Sequence, residues 1–146
     1  MNQLLLIVTI AGSRVAFPAA KVESVVELDA LSPVPRAAAH VAGLSALRSR
    51  VLTVIDCRRS LELGATDLSG LHEAAVVEVD GHHYALTVDA VEDVVEAMSE
   101  PQPVRATMEA GWERVGLGLV ETEEGPLLLV DIAALIAGPA CDRAAA

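Results

Sequence analysis

The chain has 146 residues, 53% of them hydrophobic, and a formal net charge of −11 from 21 acids against 10 basic residues. That length suits one domain with a real core, the apolar fraction excludes disorder, and the negative charge opposes phosphate backbones and anionic membrane surfaces. Aromatic residues make up only 2%, so the core has to be built from Val, Leu, Ile and Ala, and recognition of nucleic acid by base stacking is excluded as well.

In chain order, Leu4–Ile10 is an apolar run with no basic residue before it, and polar Thr9 and Gly12-Ser13-Arg14 follow its Leu4–Val8 core at once, so it reads as a strand rather than a leader. Ala11-Gly12 then turns the chain into a second strand at Val15-Ala16-Phe17, because Gly supplies the positive φ of a tight hairpin. Val22-Glu23-Ser24-Val25-Val26-Glu27 is a strand with one core face and one exposed face. After Pro33 and Pro35, the strand Val51–Ile55 stops on Asp56, an acid placed to cap a helical turn over Arg58–Leu63. Asp80-Gly81 separates Ala74–Val79 from Tyr84–Val88, and Glu124-Gly125 separates Gly116–Val120 from Leu127–Val130, each pair reading as a hairpin. Asp131 caps a second helical turn at Ile132–Ile136 and interrupts the best apolar stretch, so no run reaches the roughly 18 residues of a membrane helix. Residues from about 138 to 146 read as a frayed tail.

The chain also repeats itself. Ala16, Val22, Glu23, Val25, Val26 and Glu27 match Ala85, Val91, Glu92, Val94, Val95 and Glu96 at one offset of 69 residues. Each copy continues to a Pro pair, Pro33/Pro35 and Pro101/Pro103, and later to an apolar strand ending in Asp, where Asp56 and Asp131 are offset by 75. The larger offset implies an insertion in the second copy. A repeat of short strands with Gly and Pro punctuation predicts two similar small β units, each a closed or nearly closed barrel.

No catalytic constellation emerges. His82 and His83 are adjacent in a strand and point to opposite faces, so they do not share a metal. No nucleophile elbow, phosphate-cradling loop or zinc spacing is present, and the acidic runs around Glu92 and Glu123 read as wet surface. Cys57 and Cys141 lack metal or disulfide spacing and suit a reducing, cytoplasmic setting. Arg48, Arg50, Arg58 and Arg59 stand out in an acidic protein, either as internal ion pairs or as part of a docking site beside an exposed edge strand.

Several segments in fixed order resemble the CheW-type coupling proteins of bacterial chemosensory arrays. Lys21-Val22-Glu23-Ser24-Val25-Val26 stands where that family has Lys-Val-x-Glu-Val/Ile. Leu31-Ser32-Pro33-Val34-Pro35 with Val41-Ala42-Gly43, Leu47-Arg48 with Val51–Asp56-Cys57-Arg58, and Val88–Val94 resemble the segments that follow. The resemblance covers about Leu4 to Ile136. It implies a mainly all-β chain folded as a single CheW-like domain over residues 1–146, made of two intertwined five-stranded, SH3-like β-barrels with short helical turns. It further implies a non-enzymatic adaptor, monomeric in isolation, without cofactor, metal or catalytic residues. The implied partners are the regulatory domain of a CheA-type histidine kinase and the cytoplasmic tip of a chemoreceptor, at arrays on the inner membrane face. Carried over by position, Val22, Ser24, Val25, Gly43 and Arg48 fall near the receptor-facing groove. Ser24 replaces the family's Glu, Ala46 its Asn and Ser49 its Gly. Those departures suggest a specialised array, such as one serving pili, or a regulator that binds kinase but not a standard receptor. A small-ligand-binding double barrel, suggested by the Ala-rich interior, is the remaining alternative.

Overall fold

The expected hairpins form. In the computed structural model, which describes residues 3–28, 31–47, 49–67 and 71–139, β1 (Leu4–Ile10) and β2 (Ser13–Pro18) pair antiparallel around Ala11-Gly12. β6 (His72–Val79) and β7 (His82–Thr87) do the same around Asp80-Gly81. Both turns hold two successive residues at positive φ, 52° and 83° in the first, 52° and 82° in the second, the geometry whose twist matches the flanking strands. The remaining strands are β3 (Val22–Leu28), β4 (Val41–Leu47), β5 (Arg50–Ile55), β8 (Ala90–Glu96), β9 (Gly116–Thr122) and β10 (Gly125–Val130).

The strands make two five-stranded sheets, ordered β8-β1-β2-β10-β9 and β3-β6-β7-β5-β4. Replacing each strand by its repeat mate, β1 by β6, β2 by β7 and so on, turns one order into the other, so the two sheets are pseudo-symmetric copies. Neither sheet is one repeat. Each takes a hairpin from one half of the chain and three strands from the other, which intertwines the two units. Among the described residues no continuous ladder closes either sheet, and single bridges link the segments that follow β3 and β8 to the opposite edge strands β4 and β9. Ser32 exchanges two 2.8 Å backbone hydrogen bonds with Leu44 across the edges of one sheet, and Gln102 does the same with Leu119 in the other.

Strand exchange explains the continuous apolar runs. On β1, Leu5 and Ile7 face the interior of the first barrel with Ala16, Val120, Leu127 and Leu129. Leu6, Val8 and Ile10 face the other way, into a central core shared with Phe17, Ile55, Ala75, Val77 and Leu86. A strand buried on both faces has no need to alternate. The second barrel is filled by Leu28, Leu52, Val54, Ala74, Val76 and Ala85. With interiors occupied by these side chains, the ligand-binding double barrel loses the empty interior that motivated it.

The two capped helical turns are α1 (Cys57–Ser60) and α3 (Ile132–Ala137), headed by Asp56 and Asp131 as expected. A third helix, α2 (Ala110–Val115), was not anticipated. It occupies the stretch between β8 and β9 where the repeat offset grows from 69 to 75 residues. α2 buries Trp112 and Val115 in the central core, and its Arg114 pins the other two helices together. One guanidinium nitrogen donates to the carbonyl of Ala134 at 2.6 Å, the other to the carbonyl of Ser60 at 2.5 Å. Both acceptors lie at or near helix C-termini, where a cation is favoured. Gly138 and Pro139 are buried rather than part of a tail. Gly138, at φ 75°, lies against the His40 ring, whose Nε2 pairs with the Ile136 carbonyl at 2.8 Å.

Candidate docking surface

β3 is an edge strand, paired only with β6, and it carries three of the five expected contact residues. Val22 is half-buried against the central core, Ser24 is exposed, and Val25 is 40% exposed. Their register is interrupted between Val22 and Ser24, so the strand bulges at Glu23, a device that re-aims side chains at a sheet edge. β8, the repeat mate of β3, shows the same shift opposite Leu6 and Val8 and exposes Val94 by 48% at the position equivalent to Val25.

Gly43 lies across the sheet on the opposite edge, β4, and is buried. Its φ is +153°, and a Cβ there would sit 2.7 Å from the Ser32 carbonyl oxygen. Gly118, its repeat mate, has φ +135° and the same problem with the Gln102 carbonyl at 2.8 Å. These glycines let the closing bridges approach β4 and β9, so Gly43 acts through the barrel's closure and offers a partner no side chain. Arg48 lies outside the described residues. The other arginines separate to the two ends of β5. Arg58 pairs with Asp89 at 3.4 Å and Arg59 approaches Asp56 at 4.0 Å, while Arg50 reaches Glu23 at 3.1 Å.

That last contact belongs to a charged cluster at the mouth of the second barrel. Arg50 also touches His83 Nε2 at 3.0 Å, and His83 lies 3.5 Å from Glu23. The first barrel has a related mouth, where Arg14 pairs with Glu92 at 3.0 Å and Glu124 at 3.2 Å. Hydrogen bonds to Glu92 and then Glu124 raise the pKa of the Arg14 guanidinium above its ordinary value. The individual pairs did not emerge from residue patterns, but the offset of 69 carries the signal: it superposes His83 on Arg14 and Glu23 on Glu92.

Between the barrels lies an open cavity of about 380 Å³, bounded by Pro18, Lys21, Val79, Leu117, Asp131 and Ala133, with Leu117 51% exposed. The corresponding corner on the other side of the pseudo-dyad holds the Arg58–Asp89 pair and a 3.2 Å bond from the Gly12 amide to Asp89. The duplication therefore carries an open cleft at one corner and an ion pair at the other.

Cys57 opens α1 with no exposed surface. Burial pushes its thiol pKa strongly up, with Asp56 adding to the effect, and a thiol so held is inert. Alkylation by iodoacetamide in the native protein is expected to spare Cys57 until denaturant is added; peptide mass spectrometry showing rapid native labelling at Cys57 would contradict its burial.

Fold and surface define a class: a duplicated, strand-exchanged β module whose distinctive features are exposed edges and a cleft. The model of the CheW-like domain family matches residues 4–140, and the chain belongs to that family, one of chemotaxis scaffold and adaptor proteins. Among solved structures, that of the scaffolding protein TtCheW from Thermoanaerobacter tengcongensis is similar, with a TM-score of 0.76 at 21% identity over 92% of this chain and 88% of that one. This likeness bears out the expected fold. Comparison with curated protein sequences gives no significant match. Among the described residues, no helix is long and apolar enough to cross a membrane.

Proposed function

We propose that this chain, acting as one CheW-like domain, couples chemoreceptors to a CheA-type histidine kinase on the cytoplasmic side of a chemosensory array. The observation that carries the reading is the exposed edge strand β3, with Val25 uncovered, in a chain that matches the family model over residues 4–140. An apolar side chain on a bulged edge, with a mixed-charge cluster beside it, supplies the anchor and polar rim of a protein interface. The receptor tip meets β3 and the adjoining cleft, and the kinase regulatory domain meets a different surface.

The test is a pair of binding measurements with the purified chain, one against a CheA regulatory domain and one against a receptor signalling tip. Val25→Glu is expected to weaken receptor binding about tenfold, or about 1.4 kcal/mol, while kinase binding and the melting temperature stay unchanged. Arg48→Asp is expected to reduce receptor-dependent control of the kinase with the fold intact. Absence of binding to the regulatory domain at tens of micromolar, about −6 to −7 kcal/mol, would remove the coupling role. Kinase binding without receptor binding would instead favour the regulator reading that Ser24 suggests.

A further inference from the structure

The mouth of the second barrel brings together three metal-ligating side chains. Glu78 and His83 stand directly opposite each other on β6 and β7. By strand alternation they share the face of Val76 and Ala85, which line the barrel interior. Glu23 reaches the same point from the bulge of β3. One donor atom from each of Glu23, Glu78 and His83 lies within 4.8 Å of the others. We propose that these three residues bind one divalent transition-metal ion of the zinc class, in competition with the protein's own Arg50.

The repeat shows what is particular about this mouth. At the offset of 69, Glu78, His83 and Glu23 replace Thr9, Arg14 and Glu92 of the first barrel. There the cation is built in, since the Arg14 guanidinium bridges Glu92 and Glu124 and no imidazole is present. In the second barrel the built-in cation gives way to an imidazole and the threonine to a carboxylate. The positive charge arrives instead from Arg50, whose side chain is 55% exposed. Its pair with Glu23 is a surface ion pair of the kind that costs little to open, so the guanidinium can leave.

The imidazole is also oriented for a metal. Arg50 donates to His83 Nε2 at 3.0 Å, so in that contact Nε2 presents a lone pair toward the cluster. A metal would take the same lone pair. Glu78 has no ion-pair partner among the described residues, and Glu23 is paired with Arg50. A divalent ion replacing Arg50 would neutralise both carboxylates. Rotation of two exposed carboxylates supplies the ~2 Å bonds that zinc requires. One imidazole with two carboxylates favours zinc, nickel or copper over calcium, which needs six to eight oxygens.

The experiment is titration of the full chain with zinc chloride by calorimetry, in a Cys141→Ser background so that this second thiol does not contribute. One saturable site per chain is expected, unaffected by excess calcium. His83→Ala and the more conservative His83→Gln are each expected to weaken binding about 100-fold, and Glu78→Gln about tenfold. Arg50→Ala is expected to tighten it about tenfold, because the competitor is gone. Circular dichroism melts without zinc show whether each variant is folded, and the exposed Glu78→Gln and Arg50→Ala changes keep the test informative if the histidine variants are not. The proposal is overturned if no saturable site appears, if binding survives His83→Gln in the folded protein, if calcium competes, or if Arg50→Ala weakens the site.

Discussion

Gly111→Ala is expected to destabilise the protein by about 3 kcal/mol, although alanine is the better helix former by about 1 kcal/mol. Gly111 lies in α2 and is buried. A Cβ built on it would run into the carbonyl oxygen, carbonyl carbon and Cα of Leu61, the backbone that leaves α1. None of these is the movable end of a side chain, so the methyl group can be accommodated only by lifting α2 off Leu61. Lifting it would draw Trp112 out of the central core and separate Arg114 from the carbonyls of Ser60 and Ala134. The steric term therefore outweighs propensity. Denaturant unfolding should show a lower midpoint, with a fall in melting temperature of about 10 °C for a chain of this size. A raised midpoint would mean that propensity wins and that α2 does not pack on that backbone.

The second large effect separates two caps that look alike in sequence. Asp56 and Asp131 each precede a short helix at equivalent points of the repeat, and each backbone amide donates a 2.8 Å bond, to His40 and Val115 respectively. Their side chains differ. Asp56 is 3% exposed and accepts from the amides of Arg58 and Arg59 at 3.1 and 3.3 Å and from the amide and hydroxyl of Thr66 at 2.9 and 2.6 Å. Asp131 is half-buried and accepts one 3.4 Å bond from the Ala134 amide. Asp56→Ala leaves several donors without their acceptor and detaches the loop at Thr66, so a loss of about 3–4 kcal/mol is expected. Asp131→Ala removes one weak cap and should cost about 1 kcal/mol. Urea denaturation of the two variants side by side decides the matter; equal losses would show that the Thr66 contacts add nothing.

Much of the fold was legible because its signals are local. Asp80-Gly81 and Ala11-Gly12 specify hairpins through backbone φ alone, and acids before short apolar helices specify caps. The matches from Val22–Glu27 to Val91–Glu96 exposed the duplication without any pairing information. α2 escaped because, unlike α1 and α3, it has no capping Asp at its start, and Gly111 argues against a helix until Leu61 is seen beneath it. Val25 entered by its position in the family resemblance, because the bulge at Glu23 breaks the simple alternation of β3. The Glu23–His83–Arg50 cluster was not legible, because its members come from three strands whose adjacency is set by nonlocal pairing.

By itself the amino-acid sequence determined the all-β class, the hairpins, the helix caps, the twofold repeat and the family, since each rests on near neighbours in the chain or on a comparison of one half with the other. Tertiary structure decided that the two halves exchange strands, that Gly43 and Gly118 serve barrel closure, and that one mouth is held by Arg14 while the other gathers Glu23, Glu78 and His83. The physical reason is that apolar strands satisfy their hydrogen bonds equally well with several partners. Only burial of both faces of β1 and β6, one in the shared central core and the other in a barrel interior, selects the pairing that places these residues together.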